Sequence, residues 1–265
     1  MATSYDASRP VGGLTTDEAR LAGQGLTFGG AAAAYERGRP TYPQEAVDWL
    51  IPTEAADVVD LGAGTGKFTR LLVDGKRTVT AVDPDAAMLD TLRAYVPGVT
   101  TLVGSAESIP LPDNSVDVVT VAQAWHWVDL DLAVAEVARV LRPGGTLALI
   151  WNVRDENEPW VAAIGEAMHR GGSQDLTERD PTVGPPFAPL ERALFPWEHV
   201  VSADELRDMI ASRSYTLVLP PIERERVLDE AVEIAVRENG GNDQQIAIPY
   251  ITFAYKTSVA ALTAL

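Results

Sequence analysis

Between Asp57 and Trp151, short apolar runs alternate with helix-patterned segments, and this alternation restricts the fold more than any other feature of the chain. The apolar runs are Asp57 to Leu61, Thr78 to Val82, Val99 to Val103, Val116 to Val121 and Thr146 to Trp151. They are too short for helices, and the fourth is almost continuously apolar, as strands buried on both faces are. Lys67 to Val73 and Ala86 to Tyr95 read as helices, the second with Met88, Leu89, Leu92 and Tyr95 on one side. Asp131 is placed to cap a third helix, which ends at Leu141-Arg142 before Pro143-Gly144-Gly145. A further helix, Gln44 to Leu50, opens with Pro43 at its first position. Parallel strands joined by helices cross over right-handedly, so the prediction is an α/β protein with a doubly wound, mostly parallel sheet and helices on both faces.

The chain beyond Trp151 is less regular. Glu158 to Arg170 reads as a helix, and residues 171–189, with four prolines, as a mobile loop. Leu194 to Val201 reads as a strand. Ser202 with Glu205 forms a capping box for the next helix. Ile222 to Arg237 is helical in pattern and stops at Asn239-Gly240-Gly241, and Ile246 to Ala254 reads as a last strand, which brings the sheet to seven. The expected organisation is an N-terminal arm at 1–27, a core at 28–153, and a part at 154–265 that completes the same domain and covers its site.

Charge narrows the partners. With 21 basic against 38 acidic residues the net charge is -17. Such a chain repels phosphate backbones and anionic membranes, so neither nucleic acid nor a membrane surface is an expected partner. There is no cysteine, so disulfides, thiolate nucleophiles and cysteine metal sites are excluded. No apolar run approaches the roughly 18 residues of a membrane span. The first 25 residues carry Asp6, Asp17 and Glu18 and do not read as a secretory signal. A cytoplasmic protein, either monomer or homodimer, is the expectation.

The site is expected where the first strand ends. In such sheets ligands bind beyond the carboxyl ends of the strands, near the switch in strand order. Asp60-Leu61-Gly62-Ala63-Gly64-Thr65-Gly66 lies there, and its glycines let a ligand approach the backbone. Three cofactor classes compete. A triphosphate loop fails, because Leu61 stands where its first glycine belongs and Phe68 follows Gly66-Lys67. A dinucleotide fingerprint is weakened by Lys67 at its third glycine. Asp83, at the end of the second strand, is placed to accept ribose hydroxyls and suits either remaining cofactor.

The pattern Asp-x-Gly-x-Gly-x-Gly resembles motif I of the class I S-adenosylmethionine (SAM)-dependent methyltransferases. Gly104 to Asp117 resembles the stretch these enzymes use around adenine, and Leu141-Arg142-Pro143-Gly144-Gly145 resembles their turn before the fifth strand. The resemblance spans roughly residues 28 to 152. It implies a Rossmann-like methyltransferase fold and SAM as cofactor, with S-adenosylhomocysteine (SAH) as product. By that resemblance Gly62, Ala63, Gly64 and Thr65 line the methionine part of SAM, with Gln123 beside it. Asp83 holds the ribose, Pro84 and Met88 pack near the adenine, and Ala106 and Glu107 face its edge. Asp60 orients the glycine loop. Tyr35-x-x-x-Arg39-Pro40-x-Tyr42-Pro43, together with Gln123-Ala124-Trp125-His126-Trp127, resembles the narrower trans-aconitate methyltransferase-like group. That places Tyr35 and Arg39 over the cofactor.

The acceptor side is read from the residues. Trp125, His126 and Trp127 follow the fourth strand, and Trp151 ends the fifth, which suggests an apolar or aromatic wall for a small-molecule substrate. His126 is a candidate general base, against the alternative of a packed histidine bonding the loop. Ser214 and Tyr215 are candidates to close the pocket. No carboxylate or histidine cluster has metal-ligand spacing, so no metal is expected. A SAM-binding protein without catalysis and an NAD-linked oxidoreductase stand as alternatives to a methyltransferase.

Overall fold

The computed structural model describes residues 40–169, 180–211, 216 and 219–259. Tyr35, Arg39, Ser214 and Tyr215 lie outside them, as do residues 1–27. The strands are β1 (Asp57–Leu61), β2 (Thr78–Asp83), β3 (Thr100–Val103), β4 (Val116–Ala122), β5 (Leu141–Arg154), β6 (Glu191–Val201) and β7 (Ile246–Ser258). They form one sheet in the order β3-β2-β1-β4-β5-β7-β6. β1 to β5 pair in parallel, and β7 runs antiparallel to both β5 and β6. This is the predicted seven-stranded, mostly parallel sheet. The order reverses between β1 and β4, so the crevice that such reversals create opens directly above the glycine loop.

The helices are α1 (Gln44–Leu50), α2 (Thr69–Leu72), α3 (Ala86–Tyr95), α4 (Leu130–Val140), α5 (Pro159–His169), α6 (Ala203–Ala211) and α7 (Pro221–Glu238). Alternate residues of β5 separate two layers. Ala148 and Ile150 pack with Ala46, Val47 and Leu50 of α1 and with Phe68 and Leu72 at α2. Leu147, Leu149 and Trp151 pack with Ala133, Val134 and Val137 of α4. Each of the larger side chains among them contributes about 1.5–3 kcal/mol by leaving water. A third cluster gathers α5, α6 and α7 on the ends of β6 and β7, where Met168, Leu206, Met209 and Leu228 meet Val201, Ile246 and Tyr250.

Several expectations shift. Asp129, not Asp131, caps α4. It is extended and its side chain accepts the Leu132 N–H at 3.2 Å, while Asp131 falls inside the first turn. The helix expected over Lys67 to Val73 shortens to Thr69–Leu72, because Gly66 closes a turn on Ala63 and Val73 is extended. Pro43 caps α1 from outside rather than opening it. Tyr95 does not join the buried face of α3; its hydroxyl accepts from Arg70 at 2.7 Å instead. The Pro143-Gly144-Gly145 turn is a bulge inside β5, since Leu141 pairs with Val116 and Thr146 already with Val118. Part of the expected mobile loop is docked. Phe187 is buried and bridges Val259, and Asp180 accepts the Tyr255 hydroxyl at 2.7 Å. The Ser202–Glu205 capping box is present, with the Ser202 N–H on Glu205 at 2.8 Å and the Glu205 N–H on Ser202 Oγ at 3.2 Å.

At the amino edge of the sheet Arg142 spans Asp57 at 2.8 Å and Asp117 at 2.5 Å, and Asp117 also accepts the N–H groups of Ala56 and Asp57. The fork ties β1, β4 and β5 together at the end away from the crevice. Among the described residues no helix is long and apolar enough to cross a membrane.

Candidate functional site

The crevice begins with Asp60, the penultimate residue of β1. It is fully buried, and its carboxylate accepts the Thr69 hydroxyl at 2.6 Å and lies 3.2 Å from Thr120 Oγ1. Thr69 opens the helix after the loop and Thr120 lies on β4, so one acid holds both flanks of the glycine turn. Loss of water pushes the Asp60 carboxyl from 3.8 up to about 6; the two threonine hydroxyls oppose that rise and the charge of Asp83 adds to it. Burial also raises the Asp83 carboxyl. One of its oxygens accepts the Gly64 N–H and the other the Asp85 N–H, both at 2.8 Å. Asp83 thus holds the glycine loop, and a carboxylate's remaining lone pairs are left for a ligand.

Two glycines of the loop have different reasons. Gly66 has φ 92°, and a Cβ there would sit 2.7 Å from Leu92 Cγ, so it lets the turn close against α3. Gly64 has φ 54°, and a Cβ there would meet nothing within 4 Å. The backbone of Gly64 therefore faces open space and is the part of the loop a ligand can reach.

The crevice is lined by Asp60, Gly62, Ala63, Gly64 and Thr65 on one side and by Ala122, Gln123 and Asn152 on the other. Pro40, Tyr42, Lys67 and Phe68 complete it. Tyr42 and Phe68 meet edge to face, with ring centres 5.1 Å apart. Gln123 has φ 58°, a left-handed backbone that costs a non-glycine residue energy and is found at ligand-binding turns. Its N–H is fixed on Ile150 O at 2.9 Å and its amide on Asn152 O at 3.2 Å.

The other predicted cofactor residues lie around the same edge of the sheet. Pro84 is exposed and Met88 half-buried at the start of α3. Ala106 is buried after β3, and Gly104 is fixed to Asp83 O at 3.2 Å. Glu107 accepts the Asp129 N–H at 2.9 Å; burial raises its carboxyl, but this bond and the Ser105 hydroxyl hold it below the usual range. Arg139 of α4 secures this segment by donating to Ile109 O at 2.9 Å and Leu111 O at 2.8 Å, and it also pairs with Asp113 and Glu136.

The aromatic acceptor candidates separate. Trp125 is 5% exposed, sits in the α4 layer and donates its indole N–H to Thr182 O at 3.1 Å. Trp127 is 53% exposed. Trp151 is buried edge-on against Tyr255, with its N–H 3.5 Å from His126 Nδ1. In that contact His126 Nδ1 accepts, which holds the ring against Trp151. Trp125 and Trp151 are thus packing residues of the α4 layer, on the opposite face of the sheet from Asn152. Among the described residues no group of histidines and carboxylates could hold a metal ion.

Tyr42, Phe68, Lys67 and Asn152 were not singled out from sequence. Tyr42 stood within the Arg39-Pro40-x-Tyr42-Pro43 pattern, and Asn152 directly follows the fifth apolar run, where carboxyl-end residues belong.

A family model described as a methyltransferase domain matches residues 59–149, which hold the glycine loop, β2 to β4 and most of β5. An uncharacterized methyltransferase of Mycobacterium tuberculosis is 48% identical, over 89% of this chain and 96% of its own. An uncharacterized methyltransferase of Schizosaccharomyces pombe is 36% identical, over 88% and 97%. Among solved structures, a candidate type II methyltransferase from Anaeromyxobacter dehalogenans superposes with a TM-score of 0.60 at 26% identity, over 84% of this chain and 98% of that one. With the sheet order, the glycine loop at the switch point and these likenesses over nearly the whole length, the chain belongs to the class I SAM-dependent methyltransferases.

Proposed function

We propose that the crevice holds SAM and that the chain transfers its methyl group to an oxygen or nitrogen of a small-molecule acceptor. The observation that carries this reading is the open backbone of Gly64, set between a fully buried acid and the Tyr42–Phe68 pair at the sheet's switch point. The residues present fit the cofactor. SAM carries a sulfonium and an ammonium, and Asp60 and Asp83 supply negative charge in a region of low dielectric. Gly62 to Thr65 and Gln123 would hold its methionine part, and Asp83 its ribose. Pro84, Met88, Ala106 and Glu107 surround the place left for adenine. When bound, SAM supplies a methyl group already activated by the positive sulfur. The chain's own work is to align the acceptor and exclude water.

A nematode phosphoethanolamine N-methyltransferase of the same fold has been solved with SAH bound, with a TM-score of 0.50 at 16% identity. This supports the fold's capacity for the cofactor. A malonyl-[acyl-carrier protein] O-methyltransferase of Methylococcus capsulatus is 39% identical, but over 53% of this chain, so the acceptor is argued from this chain's residues. The resemblance to trans-aconitate methyltransferase-like proteins keeps small acids among the acceptors to screen.

The test is a thermal-shift comparison of SAM, SAH and NAD, followed by labelled SAM with small acids, phenols and amines. Stabilisation by SAM and SAH, and label transfer to one acceptor class, is expected. Stabilisation by NAD and by neither sulfur compound would sink the proposal.

A further inference from the structure

Asn152 stands on β5 at the carboxyl edge of the sheet and lines the crevice. Three of its polar groups face three different neighbours. Its backbone O accepts the Gln123 side-chain amide at 3.2 Å, its Nδ2 donates to Thr41 O at 2.7 Å, and its Oδ1 accepts the Thr252 hydroxyl at 2.6 Å. Gln123, Pro40 and Tyr42 line the crevice as well. One asparagine therefore ties the end of β4 and the strip before α1 to β5.

The far end of this set of bonds fixes its polarity. Thr252 of β7 pairs with Asn152 in the sheet and is fully buried. The indole N–H of Trp197, on β6, donates to Thr252 Oγ1 at 2.9 Å. An indole N–H only donates, a backbone carbonyl only accepts, and threonine has a single hydroxyl proton. With Trp197 on one lone pair, Thr252 gives its proton to Asn152 Oδ1, which turns the amide nitrogen toward Thr41 O. The reversed amide would set Oδ1 against Thr41 O, two acceptors with no proton between them. Neither Trp197 nor Thr252 is among the residues that line the crevice, so they reach it through Asn152.

Resting on the methyltransferase reading, we propose that Asn152 is a positioning residue of the SAM crevice, itself set by Thr252 and Trp197. It fixes where Gln123 and the Pro40–Tyr42 strip stand relative to the Gly64 loop. Gln123 needs such a support, because its left-handed backbone persists only where surrounding contacts hold it. A wall already in place spares the ligand the cost of ordering it on binding. Cofactor affinity is thereby tied to the antiparallel strands β6 and β7, none of whose residues lines the crevice.

The test is calorimetric titration of SAH into the full chain and into Asn152→Ala, Thr252→Val and the double variant, with urea denaturation of each. Asn152→Ala should weaken SAH about 10-fold and Thr252→Val about 3–10-fold. The double variant should bind within about twofold of Asn152→Ala, because Thr252 acts through Asn152; independent loosening would multiply the two losses. Thr252→Ser keeps the hydroxyl and should bind within about twofold of wild type. Thr257→Val is the control on the same strand. Its hydroxyl donates to Ala188 O at 2.7 Å and it pairs with Leu147, deeper in the sheet, so it should lose stability and keep its SAH affinity. If Asn152→Ala does not fold, Asn152→Asp takes its place, since a carboxylate keeps the shape and sets an acceptor against Thr41 O. If wild type binds no SAH, the methyltransferase reading fails and this inference with it. If wild type binds SAH and Thr252→Val binds it as tightly, or the two losses multiply, or Thr257→Val weakens it as much as Thr252→Val, only this inference is overturned.

Discussion

Replacing Asp60 by asparagine should make the ligand-free protein more stable at neutral pH while weakening its hold on SAM. The carboxyl is fully buried and ionises near 6 instead of 3.8. Below 3.8 it is protonated in both the folded and unfolded chain and contributes no difference. Between 3.8 and 6 the unfolded chain releases its proton first, so native stability is lost as pH rises. Above 6 the loss is complete, at about 3 kcal/mol from a rise of that size. Asparagine keeps the shape. Its oxygen can accept the Thr69 hydroxyl, and its amide can donate to Thr120, whose own hydroxyl still donates to Val59 O at 3.0 Å. Urea denaturation of both proteins at pH 4 and pH 8 measures the difference. The variant should gain about 1–3 kcal/mol at pH 8 and little at pH 4, and should bind SAH more weakly at pH 8. An equal difference at both pH values, or a variant less stable at pH 8, would refute the view that Asp60 is held ionised against its burial.

Gly66→Ala should destabilise the fold by roughly 1–3 kcal/mol through its clash with Leu92, whereas Gly64→Ala should cost about 1 kcal/mol and act mainly on SAH affinity; denaturation and calorimetry separate the two. Arg139→Ala should raise the KM for SAM by freeing the segment around Ile109 and Leu111, with little effect on acceptor KM in steady-state kinetics. His126→Ala should leave the pH profile of methyl transfer unchanged, because its Nδ1 faces the Trp151 indole; loss of a titrating limb in that variant would reinstate it as the base.

The parallel half of the sheet was legible because its strands leave short, mostly apolar runs between helical segments, and because Asp60 to Gly66 must turn at one strand's end. The capping box at Ser202 was legible for the same local reason. What sequence cannot state is which face a side chain meets. Trp125, His126 and Trp127 are neighbours in sequence, yet the short turn they form sends Trp125 into the α4 layer and leaves Trp127 in water. The Thr252 hydroxyl that holds Asn152 gave no signal, since it depends on an antiparallel register between β5 and β7 that joins residues 100 positions apart. Asp129 and Asp131 are equally good caps by type, and only the backbone of Asp129 decides between them.

The central claim, that the Gly64 loop holds SAM, is tested most directly by calorimetric titration of SAH into wild type and Gly64→Ala, with NAD as the competing ligand. Saturable SAH binding to wild type, weakened in the variant and absent for NAD, is the predicted result. Binding of NAD in place of SAH, or SAH binding that ignores the Gly64 substitution, would contradict it.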